Sequence, residues 1–329
     1  MTKRIGLVGY FKWGNYGDEL FRQVLADLFA GDEDIEVDVM HDMTVAPYFS
    51  TSVEERVAQF DAVIIGGGDL IIPWMLSPLY WKEEYLAKPV YIVGVEVPRW
   101  GGWDENVCKQ MAAFFQHENV KFIHTRSQVS AEWIKKHLRP SVDVYPGVDI
   151  VCAMDFPFNS PQNKVLGLIT RANQNLNPVN INAFLQKAVD AGWSIKHIPL
   201  GTAPTADDDI AEAHEHTFTP RSITVANTIE ELTREIQSCQ LLLSMKFHGC
   251  VVGHMSGVPT ITLSRADKFV HFYNRIGREA HMAVAPDETL PERFYPGMAG
   301  VDRDAVFALR AESKKELGML RQQVLEELK

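Results

Sequence analysis

The amino-acid sequence predicts an α/β protein made of two doubly wound domains with parallel sheets, and three observations lead there. Its 329 residues exceed the usual size of one hydrophobic core, so two domains of about 150 residues each are expected. Short Val/Ile-rich runs, several closed by glycine, alternate with helix-length stretches, the pattern of strands covered on both faces. The alternation breaks around "DFPFNSPQN" at residues 155–163, where prolines, asparagines and a serine mark a linker. The expected domains are residues 1–157 and 158–329.

In the first half the predicted strands are "RIGLVGY" (4–10), "IEVDVM" (35–40), "DAVIIGGG" (61–68), "PVYIVGVEV" (89–97), "VKFIHT" (120–125) and "VDVYPG" (142–147). Between the first two, "GDELFRQVLADLFAG" sets Leu20, Phe21, Val24, Leu25, Leu28 and Phe29 on one helical stripe. Asp18 and Glu19 fall in its favourable first turn and Gly31 stops it. "SQVSAEWIKKHL" reads as a second helix of this kind. After the linker, "KVLGLIT" (164–170), "WSIKHIPLG" (193–201), "QLLLSM" (240–245) and "VPTITLS" (258–264) read as strands, with "VNINAFLQKAVDAG", "TIEELTREIQSC" and "HGCVVGHMSG" as the helices between them. The tail "AVFALRAESKKELGMLRQQVLEELK" has helical periodicity and no following strand, so it is expected to close the second domain or cross back to the first. Two such Rossmann-like halves facing one another imply a cleft lined by the loops after the strands, where ligand chemistry is expected.

Composition narrows the function classes. Apolar residues make up 46% and charged residues 23% of the chain, ordinary values for a soluble protein, and the apolar runs are strand-length, so no membrane span is predicted. The amino terminus has no small-residue cleavage site after its apolar run, and a cytoplasmic location is expected. A net charge of −11 argues against a nucleic-acid surface, because such binding is driven by phosphate neutralisation. Cys108, Cys152, Cys239 and Cys250 are far apart and form no C-x-x-C pair, so free, buried thiols are expected.

Three constellations carry potential chemistry. In "GYFKWGNYGDELF" (9–21), Gly9, Gly14 and Gly17 permit a tight turn into the helix, but the spacing is not G-x-G-x-x-G. Asp18 there is either a plain helix cap or, with Asn15, an acceptor of hydrogen bonds from sugar hydroxyls. In "IIGGGDLI" (64–71), glycines at a strand end leave backbone N–H groups unscreened, with Asp69 beside them. In "SMKFHGCVVGHMSGVPTITLSRADKF" (244–269), Lys246 and His248 lie where a buried strand meets the amino terminus of an apolar helix, a place that favours a carboxylate or phosphate. Arg265 and Lys268 follow the next strand. His254, in the helix interior, reads as structural. The acidic run "ADDDIAEAHEH" (206–216), with Asp207, Asp208, Asp209, His214 and His216, reads as a solvated acidic helix start rather than a metal site, and no cofactor is expected.

Together these residues resemble the polysaccharide pyruvyl transferase family. The amino-terminal "G-Y-x-x-x-x-N-x-G-D-E" element is matched from Gly9 to Glu19, and the glycine-rich strand end by "GGGDLI" with Gly67, Gly68 and Asp69. Arg126 and Ser130 match an "R-x-x-x-S" element, and Arg171 a basic strand end. Ser244, Lys246, His248, Gly257, Val258, Pro259 and Lys268 match the most specific element. Lys246 stands where the family usually carries arginine; it keeps the charge and loses the planar two-pronged grip. The resemblance implies a GT-B-like fold and transfer of the carboxyethylidene group of phosphoenolpyruvate to two hydroxyls of a sugar, giving a cyclic ketal and phosphate. That reaction needs an acid, a base and cations for the donor; His248 is expected as the acid, Lys246, Arg171 and Lys268 as the clamp on the donor anion, and Asp18, on the acceptor side with Asn15, as a second catalytic residue. Asn15, Gly67, Gly68 and Asp69 fall on the acceptor side, in the first domain. The acceptor would be a sugar or a lipid-linked oligosaccharide, the latter compatible with peripheral membrane contact; oligomeric state is left open. A glycosyltransferase using a nucleotide sugar, or a non-catalytic sugar- or anion-binding module, would share these features.

Overall fold

The structure, a computed structural model, describes residues 2–172, 178–215, 221–284 and 287–329. Its residues fall into two units: unit 1 is Met1–Lys12, Asp18–Ala153 and Arg310–Lys329, and unit 2 is Trp13–Gly17 and Met154–Leu309.

Unit 1 contains strands β1 (Lys3–Val8), β2 (Ile35–Val39), β3 (Ala62–Gly68), β4 (Val90–Val95), β5 (Val120–Thr125) and β6 (Val144–Pro146), with helices α1 (Tyr16–Phe29), α2 (Val53–Val57), α3 (Glu105–Phe115) and α4 (Gln128–His137) between them. The strands form a 6-stranded sheet in the order β2-β1-β3-β4-β5-β6, with parallel pairing throughout. Val63, Ile64 and Ile65 of β3 and Tyr91, Ile92 and Val93 of β4 are all buried, which is why these central strands read as unbroken apolar runs. Local polar residues set the helix starts: Ser52 accepts from the Glu55 N–H, Asp104 from the Asn106 and Val107 N–H groups, and Ser127 from the Ser130 N–H, each satisfying an orphan donor.

Unit 2 contains β7 (Val165–Ile169), β8 (Ser194–His197), β9 (Ser222–Ile223), β10 (Leu241–Ser244) and β11 (Thr260–Thr262), with helices α5 (Pro178–Asp190), α6 (Ala203–Glu215), α7 (Ile229–Gln237), α8 (Phe247–Met255), α9 (Asp267–Arg275) and α10 (Phe294–Gly297). Its sheet runs β11-β10-β7-β8-β9, again parallel. Leu166, Leu168, Leu241, Leu243 and Ile261 pack with Phe184 and Phe294 in one core. Helix α8 is buried almost all round, and its glycines let it lie close on β10 and β11. A Cβ on Gly253 would come within 2.6 Å of Thr260 Oγ1, and one on Gly249 within 2.7 Å of Ser244 Oγ.

The last helix, α11 (Arg303–Glu327), passes from unit 2 to unit 1 at Arg310. In unit 1 Arg321 pairs with Asp32 at 2.6 Å, and Glu316 meets the His124 imidazole at 3.0 Å. The division between the units falls at Ala153/Met154, a few residues before the expected 157/158, and residues 13–17 group with unit 2. The reason for the second difference is local pairing: Asn15 forms an antiparallel bridge with Gly201, the Thr202 N–H donates to Gly14 O at 2.8 Å, and the Tyr16 hydroxyl bonds that of Thr233 at 2.7 Å.

Among the described residues no helix is long and apolar enough to cross a membrane. All four cysteines are free and buried, and burial raises the Cys239 thiol to about 12 and the Cys250 thiol to about 11.

Candidate functional site

In unit 2 the key residues leave two neighbouring strands side by side. Ser244 of β10 pairs with Ile169 of β7, so Lys246 and Arg171 emerge from the same edge of the sheet. Lys246 is the residue before α8, in extended conformation, its N–H donating to Ser244 Oγ at 3.2 Å. Its ammonium donates to Leu200 O at 3.1 Å and to the Asp209 carboxylate. Asp209 is 5% exposed, and its other oxygen accepts the Ala172 N–H at 3.1 Å. One carboxylate thus ties Lys246 to the turn that carries Arg171, which is itself exposed.

This corrects the reading of the acidic run. Asp207, Asp208 and His214 are exposed, but Asp209 shares the inward face of α6 with Ala206 and Ala213, as positions i, i+3 and i+7 of a helix must. A 3.6-residue phase, invisible in a string of aspartates, decides which of them is buried. His216 lies outside the described residues. Among the described residues no group of His, Cys, Asp and Glu could hold a metal ion.

His248 is the second residue of α8, and its imidazole rests against the backbone of Gly17, where an added Cβ would overlap the ring. Asn15 Oδ1 accepts the Gly17 N–H at 3.2 Å. Asn15 is therefore the capping residue of α1, the role that Asp18 could also have played from sequence. The Phe247 ring lies edge-on to His248 at 5.3 Å, and the Lys268 ammonium stands 6.0 Å from the centre of that Phe247 ring. Lys246, His248, Arg171 and Lys268 all belong to unit 2. Because an added Cβ at Gly17 would overlap the ring, Gly17→Ala is expected to displace the His248 imidazole, read from its side-chain NMR resonances, while circular dichroism stays unchanged; unaltered resonances would show that the ring does not rest on Gly17.

In unit 1 the glycine-rich end of β3 turns through Gly67 (φ 90°) and Gly68 (φ 98°), a left-handed conformation that favours glycine. A Cβ on Gly68 would sit 3.9 Å from Asp18 Oδ1. Burial, Tyr48 and then Asp18 raise the Tyr10 phenol, and burial followed by the Asp18 charge raises that of Tyr80. Asp18 therefore lies among phenols as well as beside the glycine turn. Asp69 accepts from Arg126 Nη2 at 2.8 Å.

Arg126 is 7% exposed and also meets Asp149 at 3.2 Å and Glu96 at 3.6 Å. Burial pulls its pKa down, but Asp69, Asp149 and Glu96 together raise it above the usual value. Glu96 Oε1 in turn accepts from the Ser127 and Ser130 hydroxyls at 2.6 and 2.8 Å. The spacing of Arg126 and Ser130 now has a physical basis, since one carboxylate binds both. Sequence reasoning did not single out Glu96 or Asp149. The available signal was an acid closing the apolar run "PVYIVGVEV", a position that burial tolerates only with partners.

The two parallel-sheet α/β units define a protein of GT-B-like fold, and solved structures with that architecture match the chain along nearly its whole length. A ugt transferase from Siraitia grosvenorii in complex with UDP shares 12% identity, covers 100% of each chain and has a TM-score of 0.58. UDP-GlcNAc 2-epimerase from Neisseria meningitidis bound to UDP-GlcNAc shares 13% identity over 98% of this chain and 100% of that one, with a TM-score of 0.56. UDP-N-acetylglucosamine 2-epimerase from Rickettsia bellii shares 9% identity over 100% of this chain and 96% of that one, also at 0.56. At these identities the likeness concerns the fold alone. A search of curated proteins finds no matching relative. The family model described as polysaccharide pyruvyl transferase matches residues 15–267, and the chain belongs to that family.

Proposed function

We propose that this protein transfers the carboxyethylidene group of phosphoenolpyruvate to two hydroxyls of a sugar in a cell-surface glycan, forming a pyruvate ketal and releasing phosphate in the cytoplasm. The observation that carries the proposal is the grouping in unit 2 of Lys246 with His248 at the start of α8, next to the strand end that bears Arg171. The Lys246 ammonium is held by the Asp209 carboxylate and by Leu200 O, so the donor's anionic group would take the place of Asp209 on it or share it.

The chemistry needs few groups. Proton transfer to C3 of the donor turns its methylene into a methyl and makes C2 electrophilic, and His248 is the assigned acid. One sugar hydroxyl adds to C2, the C2–O bond to phosphate breaks, and the second hydroxyl closes the ketal. Of the two hydroxyl protons released, one balances that taken up by C3 and the other leaves on phosphate. Lys246, Arg171 and Lys268 would hold the donor's carboxylate and phosphate while charge redistributes. In unit 1, Asp18, as a second catalytic residue, and the turn at Gly67, Gly68 and Asp69 are assigned to the acceptor; Asn15, grouped with them from the sequence, belongs to unit 2.

Purified protein given phosphoenolpyruvate and a glycan acceptor is expected to release phosphate only when both are present. Lys246→Ala should raise the KM for phosphoenolpyruvate about 10- to 100-fold, the worth of a charge-assisted hydrogen bond, with a smaller effect on kcat. Hydrolysis of a nucleotide sugar without turnover of phosphoenolpyruvate would replace this reading with a glycosyltransferase.

A further inference from the structure

Beyond the residues assigned so far, unit 1 carries a pocket of about 270 Å³ where β2 hands over to the loop before α2. That volume is near the lower bound of about 300 Å³ for pockets that take drug-sized ligands, so it suits a single ring. The wall is built rather than loose. The Asp42 N–H donates to Tyr48 O at 2.9 Å, and Asp42 Oδ1 accepts from the Thr44 N–H at 2.9 Å and its hydroxyl at 2.7 Å.

His41 lines this pocket and is 7% exposed. Its Nε2 accepts the Gly9 N–H at 3.3 Å, which places the ring proton on Nδ1. Nδ1 is buried and has no hydrogen-bond partner in the protein. Burial, foremost, holds the imidazole's pKa down to about 4, so the ring is neutral. Around it stand the hydroxyl-bearing side chains of Tyr48, Ser50 and Thr51 and the amide of Gln59.

The wall is poorly suited to an anion. Arg56, its one guanidinium, donates to Met40 O at 2.9 Å, to Val39 O at 3.1 Å and to Gln59 Oε1 at 2.7 Å, so each of its nitrogens already faces a protein oxygen. The Asp42 carboxylate also borders the pocket. A neutral polyhydroxylated ring with one apolar face fits better, because the lining combines the aromatic side chains of Tyr48 and Phe49 with hydroxyl and amide groups.

We infer that this pocket binds one neutral pyranose unit of the acceptor glycan, the side chains of Ser50, Thr51 and Gln59 meeting its hydroxyls, Tyr48 supplying the stacking face and the His41 imidazole closing the wall behind it. The inference rests on the reading of unit 1 as the acceptor side.

The test uses the full chain and neutral methyl pyranosides of glucose, galactose and mannose, followed by saturation-transfer NMR and by the His41 side-chain nitrogen resonances. At least one pyranoside should bind saturably and shift His41 Nδ1, and Thr51→Val and Tyr48→Ala should each weaken binding at least about fivefold, the scale of one neutral hydrogen bond or stacking contact. If Tyr48→Ala does not fold, Thr51→Val carries the same expectation. Binding to none of the pyranosides, binding that leaves His41 and the variants unaffected, or a His41 shift caused by inorganic phosphate alone would each overturn the inference. Phosphoenolpyruvate binding is measured on the same sample. Its loss with pyranoside binding retained removes the donor reading and leaves this subsite, and the converse removes the subsite only.

Discussion

His248→Ala is expected to cut phosphate release from phosphoenolpyruvate by about 100- to 10,000-fold, the usual contribution of a positioned general acid, with the thermal transition of the protein retained. The expectation rests on where the imidazole sits. It lies at the first turn of α8, two residues after Lys246, and packs on the Gly17 backbone and beside the Phe247 ring. Removing it takes away a group at the surface of a buried helix rather than a member of the core, so the fold should survive. Phosphoenolpyruvate affinity separates the roles of the two residues: it should change little in His248→Ala and fall in Lys246→Ala. Full turnover in His248→Ala would remove this residue from the mechanism.

Arg126→Leu is expected to destabilise unit 1 by about 3–5 kcal/mol, the cost of breaking a buried ion pair by removing one partner, read from urea unfolding. Asp69, Asp149 and Glu96 all face this guanidinium, and without it the buried Asp149 and Glu96 would lose the cation that balances their charge. The double variant Arg126→Leu/Glu96→Gln should recover part of the loss, because the amide needs no cation while still accepting from Ser127 and Ser130. A loss below about 1 kcal/mol, the range of exposed ion pairs, would show that solvent reaches the network.

Much of the molecule was legible in advance because its signals are local. The strands Ala62–Gly68 and Val90–Val95 carry no charged residue since both faces are covered, and β3 and β4 occupy the centre of their sheet. The start of α8 could be read from an apolar strand followed by Lys246 and His248. Gly17 was visible as a turn residue, but its use as a seat for an imidazole more than two hundred positions later was not. The acidic run illustrates the limit from the other side: Asp209 was grouped with its solvated neighbours, and only helix phase and the position of Lys246 separate it from them.

The sequence by itself determined the alternation of strands and helices, the two α/β halves and the ordered set of motifs that marks the family, because hydrophobic period, glycine placement and residue order need no third dimension. Tertiary structure decided which charges meet. Asp209 reaches Lys246 across 37 positions, Arg126 reaches Asp69 across 57 and Asp149 across 23, and residues 13–17 join unit 2 through Gly201, Thr202 and Thr233. The strength of a charge pair depends on separation in space and on exclusion of water, and both are set only when the sheets and their covering helices have closed around it.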